Sequence, residues 1–95
     1  MYEWNEEKRN AVLLKHSIDF FDVVEIFAQD HLILHARSDV EERRIAVGQM
    51  NSVTLAVVYT HRDGAIRIIT ARRARKNERE QFEALLARRS AGDEG

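Results

Sequence analysis

The residues best suited to bind negative charge lie in one segment near the end of the chain. Residues 61–89 contain nine Lys or Arg and four Asp or Glu, although the 95-residue chain has a net charge of only −1. Arg75, Lys76 and Arg79 lie in the predicted first turn of a helix, where a cation opposes the helix dipole at a cost of about 0.3–1 kcal/mol. Arginine binds phosphate through two parallel hydrogen bonds. The segment therefore indicates an anion-binding surface, and the alternative is a solvated basic helix.

A second basic group lies on the first predicted helix. Lys8 and Lys15 are seven residues apart and therefore share one side of a helix, and His16 lies at its end. His16 can exchange a proton near neutral pH, which makes it a candidate general base. The alternative is that it caps the helix end, where positive charge is favourable. The other histidines have no carboxylate partners at the spacing of metal ligands, and the sequence predicts no metal and no other cofactor.

Two aromatic side chains are candidates for stacking against nucleic-acid bases. Trp4 precedes the first helix, and Tyr59 ends a predicted strand close to the hairpin that leads to Arg67. Such stacking contributes about 1–3 kcal/mol per base. The alternative is that both rings belong to the core, and that Trp4 packs against the start of the helix.

The composition excludes several classes of protein. The chain has no cysteine, so disulfide frameworks and thiolate metal sites are excluded. No apolar run approaches the ~20 residues that span a bilayer, and the first residues predict no secretory signal. The motifs of P-loop nucleotide hydrolases, α/β-hydrolases and zinc proteases are absent. The sequence predicts a soluble, cytoplasmic protein.

The spacing of apolar residues predicts one domain, residues 1–89, with a helix at each end. Two helices come first, about 5–16 and 19–29, and the few residues between them predict a helical hairpin. A last helix spans about 75–89, and residues 90–95 are predicted to form a disordered tail. The apolar side of the last helix consists of Phe82, Leu85 and Leu86.

Four strands are predicted between these helices. They span residues 31–35, 42–50, 53–60 and 65–73, and Asp63-Gly64 predicts a tight hairpin between the last two. Simple alternation in the last strand places Arg67 on the face of Arg73, and Arg72 on the opposite face. The fold class is therefore α+β. A helical hairpin covers one face of a four-stranded antiparallel sheet, and the other face or the open edge is left for function.

Several segments follow the order and spacing of one known family. They are Tyr2-Glu3-Trp4-Asn5 with Lys8, Lys15-His16-Ser17-Ile18-Asp19-Phe20, Glu42-Arg43 leading to Val47-Gly48, Val57-Val58-Tyr59-Thr60, residues 67–74, and Glu78-Arg79. Through these segments residues 2–82 resemble the BrnT family of bacterial type II toxins. The resemblance implies a RelE-like fold and a metal-independent ribonuclease that inhibits translation. It also implies an antitoxin of the BrnA type, a ribbon-helix-helix protein, in a complex larger than one-to-one.

Three residues depart from the usual sequence of that family, which has Asp at position 5, Asn at position 12 and Gly at position 17. Asn5 can still cap the first helix. Val12 removes a polar side chain, and Ser17 must adopt whatever backbone the glycine allows. None of the three lies in the basic segment, so the implied activity is unaffected.

Cleavage of RNA without a metal needs a base for the 2′-hydroxyl, cations for the charge on the phosphate and an acid for the leaving oxygen. The candidates for charge stabilisation are Lys8, Arg67, Arg72 and Arg73, and those for the general base are His16 and Glu78. The residues expected to hold RNA are Trp4, Lys15, Arg43, Tyr59, Arg75, Lys76 and Arg79. The expected product is a 2′,3′-cyclic phosphate. The alternatives are a non-enzymatic nucleic-acid-binding module and a subunit whose basic helix binds an acidic partner.

Overall fold

The computed structural model describes residues 1–37, 39 and 41–93, which form five strands, three α-helices and one 3₁₀ helix. The strands are β1 (Tyr2–Trp4), β2 (Leu32–Ala36), β3 (Arg43–Met50), β4 (Val53–Arg62) and β5 (Ala65–Arg73). The helices are α1 (Glu6–His16), α2 (Phe20–Val23), which continues as the 3₁₀ helix Val24–Ala28, and α3 (Lys76–Asp93). Among these described elements, no helix is both long enough and apolar enough to cross a membrane.

The sheet contains one strand that the sequence did not predict. Its order is β1-β5-β4-β3-β2, and β1 pairs in parallel with β5, so that Tyr2 lies opposite Ile66 and Trp4 opposite Ile68. The other neighbouring strands are antiparallel. The α+β class is confirmed, whereas the four-stranded, fully antiparallel sheet is wrong. A three-residue strand is too short to show an alternating pattern, which is why the sequence did not reveal it.

Both predicted helix starts are confirmed, but the helical hairpin is not. The Asn5 side chain accepts the Lys8 N–H at 3.0 Å, and the Asp19 side chain accepts the Phe21 N–H at 3.0 Å. After Asp19, only four residues form α-helix before the chain tightens into the 3₁₀ helix. Two β-branched residues, Val23 and Val24, stand where the winding changes, and such residues favour α-helix less than straight side chains do.

Ser17 ends α1 in the left-handed conformation that favours glycine. Its φ is +58°, and its N–H donates to the Leu13 carbonyl at 3.0 Å. A residue with a Cβ adopts this conformation at a cost of about 1–2 kcal/mol. The expectation that Ser17 tolerates a glycine backbone is therefore confirmed.

One face of the sheet is covered by α1, α2 and the 3₁₀ helix. Their side chains Val12 and Phe20 are buried against Val57 of β4. The 3₁₀ helix approaches β3 so closely that a Cβ at Gly48 would lie 2.7 Å from Cγ2 of Ile26. This face is filled, and it offers little room for a substrate over the centre of the sheet.

The opposite face is covered only in part, by α3. Phe82 is buried against Val47 and Ala56, and Leu86 packs on the same cluster. The helix extends to Asp93, beyond the end predicted at residue 89, so it occupies part of the predicted disordered tail. Glu94 and Gly95 lie outside the described residues. At the other end of this face, β3, β4 and β5 extend beyond the residues that pack against α3.

A β-bulge lies in β5. Val58 pairs with Thr70, whereas the next residue, Tyr59, pairs with Ile68. Ile69 is therefore an extra residue, and it reverses the alternation of side chains along the strand.

The bulge places Arg67 and Arg72 on the same face. Arg67 lies opposite Thr60 and Arg72 opposite Ala56, and alternate residues of β4 point to the same side of the sheet. Ala56 packs with α3, so both arginines lie on the α3 side. Arg73 lies on the α1 side. The simple alternation predicted for this strand is wrong because a bulge has no local sequence signal of its own here.

Candidate functional site

Three predicted phosphate-binding side chains, each from a different element, line one cleft of about 210 Å³. Lys8 belongs to α1, Arg43 to β3 and Arg67 to β5. We call this the cationic cleft. Asn5, Glu41, Ile68 and Ile69 complete its lining. Cations placed together repel one another, so the arrangement favours a bound anion.

The unpredicted strand β1 and the bulge position the cationic cleft. Glu3 of β1 lies opposite Arg67, and its Oε1 is 3.5 Å from Arg67 Nη1. The chain then passes from β1 directly into α1 through the capping residue Asn5. This short connection brings Lys8 to the cationic cleft that Arg67 also lines. Because the bulge turns Arg67 toward the α3 side, its guanidinium reaches the open part of that face.

Glu41 is the acid that lines the cationic cleft. Its Oε1 is 3.3 Å from Arg43 Nε, and its Oε2 is 3.6 Å from Arg62 Nη2. The neighbouring residue Glu42 is fixed to β4, because its carbonyl accepts a hydrogen bond from the Thr60 hydroxyl at 2.7 Å. No sequence pattern pointed to Glu41, since it lies in the connection before β3.

Arg72 and Glu78 form an ion pair where β5 joins α3. The guanidinium donates from Nη1 to Oε1 at 2.7 Å and from Nη2 to Oε2 at 3.0 Å. Oε1 also accepts the Arg75 N–H at 2.7 Å, which is the glutamate half of a capping box. The hydrogen bonds from Arg72 lower the pKa of the Glu78 carboxyl, although burial opposes this shift, and Glu78 raises the pKa of Arg72. Glu78 is 4% exposed, so its carboxylate is committed to this junction.

His16 and Arg73 line a second, separate cleft of about 170 Å³. Ser17 and Asn51 line it too, with an apolar wall that includes Leu55. His16 lies eight residues from Lys8, a rise of about 12 Å along α1. The structure therefore brings His16 together with Arg73 and does not bring it to the cationic cleft.

The remaining basic candidates are exposed. Arg75 and Lys76 lie at the start of α3, where Lys76 Nζ is 3.9 Å from Glu80 Oε1. Arg79 is held in place, since its Nη1 donates to the Ala74 carbonyl at 2.9 Å. Lys15 is exposed on α1 and is not among the residues that line either cleft.

Of the aromatic candidates, Tyr59 belongs to the core, and Trp4 is partly buried against it. Tyr59 is 3% exposed and packs edge-on against Phe27 with 4.9 Å between ring centroids. Burial raises the pKa of Tyr59. Trp4 packs edge-on against Phe20 and Phe21, at 6.1 and 4.9 Å. The structure contradicts a stacking role for Tyr59, because no face of its ring is open to a base.

A metal site is not seen in the part of the chain that the structure describes. There, no group of three or more His, Asp or Glu side chains is placed to hold a metal ion.

Comparisons of the sequence and of the fold with known proteins point to one family. The 1.1 Å crystal structure of the Brucella abortus ribonuclease toxin BrnT matches with a TM-score of 0.67 and 29% sequence identity, over 80% of this chain and 99% of that chain. The sequence model of the ribonuclease toxin BrnT of type II toxin-antitoxin systems matches residues 4–78. The chain therefore belongs to the BrnT family, which confirms the resemblance in its sequence. No curated protein matches it.

Proposed function

We propose that the chain cleaves RNA at the cationic cleft without a metal, forms a 2′,3′-cyclic phosphate and thereby inhibits translation. The observation that carries this proposal is the convergence of Lys8, Arg43 and Arg67 from three elements. Because the three cations come from different elements, the basic character of one helix or strand does not explain why they line one cleft. A basic surface that only contacts solvent would not require this convergence.

The chemistry follows from where charge develops. When the 2′-hydroxyl attacks the neighbouring phosphate, negative charge builds on the phosphate oxygens. Fixed donors aimed at that charge stabilise the transition state, and each contributes on the order of 10²–10³-fold in rate. Arg67 and Arg43 supply planar donor groups and Lys8 a compact charge. All three belong to rigid elements, so little reorganisation is needed.

Arg72 and Glu78 are positioning residues in this proposal. Their ion pair ties the end of β5 to the first turn of α3 and thereby fixes Arg75 and Lys76 beside the α3 side of the sheet. We assign to those two cations the contacts with the RNA backbone beyond the cationic cleft. His16 lies in the other cleft with Arg73. We therefore propose that His16 stabilises the end of α1 and contacts RNA away from the cleaved bond.

Cleavage in EDTA tests the proposal. We expect the purified protein to cut RNA with a metal chelator present and to leave 2′,3′-cyclic phosphate and 5′-hydroxyl ends. A 2′-deoxy nucleotide at the cleaved position should block the reaction, because it has no attacking hydroxyl. A strict requirement for added metal contradicts the mechanism. Binding without any cleavage supports the alternative, a non-enzymatic nucleic-acid-binding module.

A type II toxin family implies an antitoxin partner. We propose that this partner is a BrnA-like ribbon-helix-helix protein that covers residues 67–79 with an acidic surface. The excess of basic residues in that segment supports the proposal, and so does the attachment of α3 through Phe82 and Leu86. The dimeric partner would make the complex larger than one-to-one.

Hydrogen exchange with and without the antitoxin tests this interface. We expect amides in residues 67–79 to gain protection, and association to be faster at low salt because rim charges steer it. Protection confined to residues 5–29 would show that the antitoxin binds the helical side of the protein and leaves the basic segment uncovered.

A further inference from the structure

We infer that Glu41 accepts the proton of the attacking 2′-hydroxyl. This inference rests on the cationic cleft as the site of RNA cleavage. Among the described residues that line that cleft, Glu41 is the single acid. A phosphate held by Lys8, Arg43 and Arg67 therefore brings the neighbouring ribose beside the Glu41 carboxylate.

The two bases expected from the sequence are not placed for this step. His16 lines the second cleft, about 12 Å along α1 from Lys8. Glu78 is buried, and both of its oxygens accept from Arg72. A general base must reach the proton it removes directly or through one water. Glu41 meets that requirement in the cationic cleft.

Two arginines orient the Glu41 carboxylate, and its side chain is partly exposed. Arg43 and Arg62 approach one oxygen each, at 3.3 and 3.6 Å. These distances are longer than those of a tight bidentate pair, and the side chain is 25% exposed. The Thr60 bond to the Glu42 carbonyl holds the backbone beside it.

The step balances as an internal transfer of the phosphate. The 2′-hydroxyl gives its proton to the Glu41 carboxylate while the 2′-oxygen bonds to phosphorus. The bond from phosphorus to the 5′-oxygen breaks, and that oxygen takes a proton from water, which reaches the cleft beside the exposed Lys8. The hydroxide left behind takes the proton from Glu41, which restores the carboxylate.

A pair of neighbouring variants, Glu41→Gln and Glu42→Gln, tests this assignment. We expect E41Q to lower kcat by about 10²–10⁴-fold, the range for loss of a general base. KM, and binding of an RNA with a 2′-deoxy nucleotide at the cleaved position, should change by less than about threefold, because the three cations remain. E42Q should cleave at the wild-type rate, since Glu42 is exposed and contacts Arg44 and His35.

Glu41→Asp distinguishes proton transfer from a structural role. It keeps a carboxylate and should retain more activity than E41Q at equal folded fraction, measured by circular dichroism. Wild-type kcat in E41Q, or equal losses in E41D and E41Q, overturns the inference. So does a loss of binding that matches the loss of rate. If E41Q is active while Arg67→Ala is inactive, Glu41 is not the base, yet the cleft remains the cleavage site. If both are active, the proposed function itself fails.

Discussion

Replacing Arg67 by alanine is expected to lower the rate of RNA cleavage by about 10²–10³-fold while the protein stays folded, because one fixed donor to the developing charge is lost. Arg67 is 28% exposed, and its partner Glu3 is 38% exposed, so their surface ion pair contributes little to stability. Activity should therefore fall far more than the free energy of unfolding.

Single-turnover cleavage and urea unfolding on the same preparation measure the two effects. Arg88→Ala is the matched control, since Arg88 is exposed on α3 and far along the helix from the β5 junction. Arg67→Lys keeps the charge without the planar fork and should have intermediate activity. Full activity in folded Arg67→Ala would remove the cationic cleft from the mechanism.

Replacing Arg72 by alanine is expected to have the largest effect on stability, a loss of about 3 kcal/mol in the free energy of unfolding. The reason is that Glu78 would remain buried without its charge partner, and breaking one side of a buried pair costs about 3–5 kcal/mol. The Arg75 N–H would still donate to Glu78, which places the expected loss at the lower end of that range. The free energy of unfolding of a domain of this kind is only about 5–15 kcal/mol in total.

Urea unfolding of Arg72→Ala, Arg73→Ala and the double variant Arg72→Met/Glu78→Gln measures this effect. Arg73 is the control because it is exposed and lies on the other face of the sheet. The double variant should be more stable than Arg72→Ala, because it leaves no unpaired buried charge. Equal stability of Arg72→Ala and the wild-type protein would contradict a structural role for the pair.

The ion pair of Arg72 and Glu78 makes the stability of the protein depend on pH. Arg72 lowers the pKa of Glu78 in the folded protein, so folded Glu78 binds a proton more weakly than the unfolded chain does. The contribution of the Glu78 carboxylate to the free energy of unfolding is complete above its pKa in the unfolded chain, about 4.3. That contribution is lost as the pH falls through the pKa of Glu78 in the folded protein. The double variant should lose this part of the pH dependence. It should keep the part due to Asp19, whose pKa Arg9 lowers in the same way.

Features with a local physical cause were predictable from the sequence. Asn5 and Asp19 cap helices because their short side chains reach a backbone N–H two or three residues ahead. Asp63 and Gly64 both have positive φ, as a two-residue hairpin requires. The apolar spacing of α3 places Phe82 in the core.

Features that depend on distant parts of the chain were not predictable. β1 pairs with a strand more than sixty residues away, and three residues carry no periodic signal. The bulge at Ile69 depends on how β4 and β5 align, so the true faces of Arg67 and Arg72 appear only in three dimensions. Glu41 lies in the connection before β3, and the residues next to it in the sequence do not predict that its side chain lines the cationic cleft.

The order of the strands also sets when the cationic cleft can form during synthesis of the chain. Among the described strands, β1 precedes all the others along the chain, yet its partner β5 follows all of them. Lys8 and Arg67 can meet only after β5 has emerged, and the pairing of Glu3 with Arg67 closes a separation of 64 residues. A nascent chain that stops before β5 therefore has no cationic cleft. The ribosome that translates this chain therefore meets no complete cationic cleft until β5 has been made.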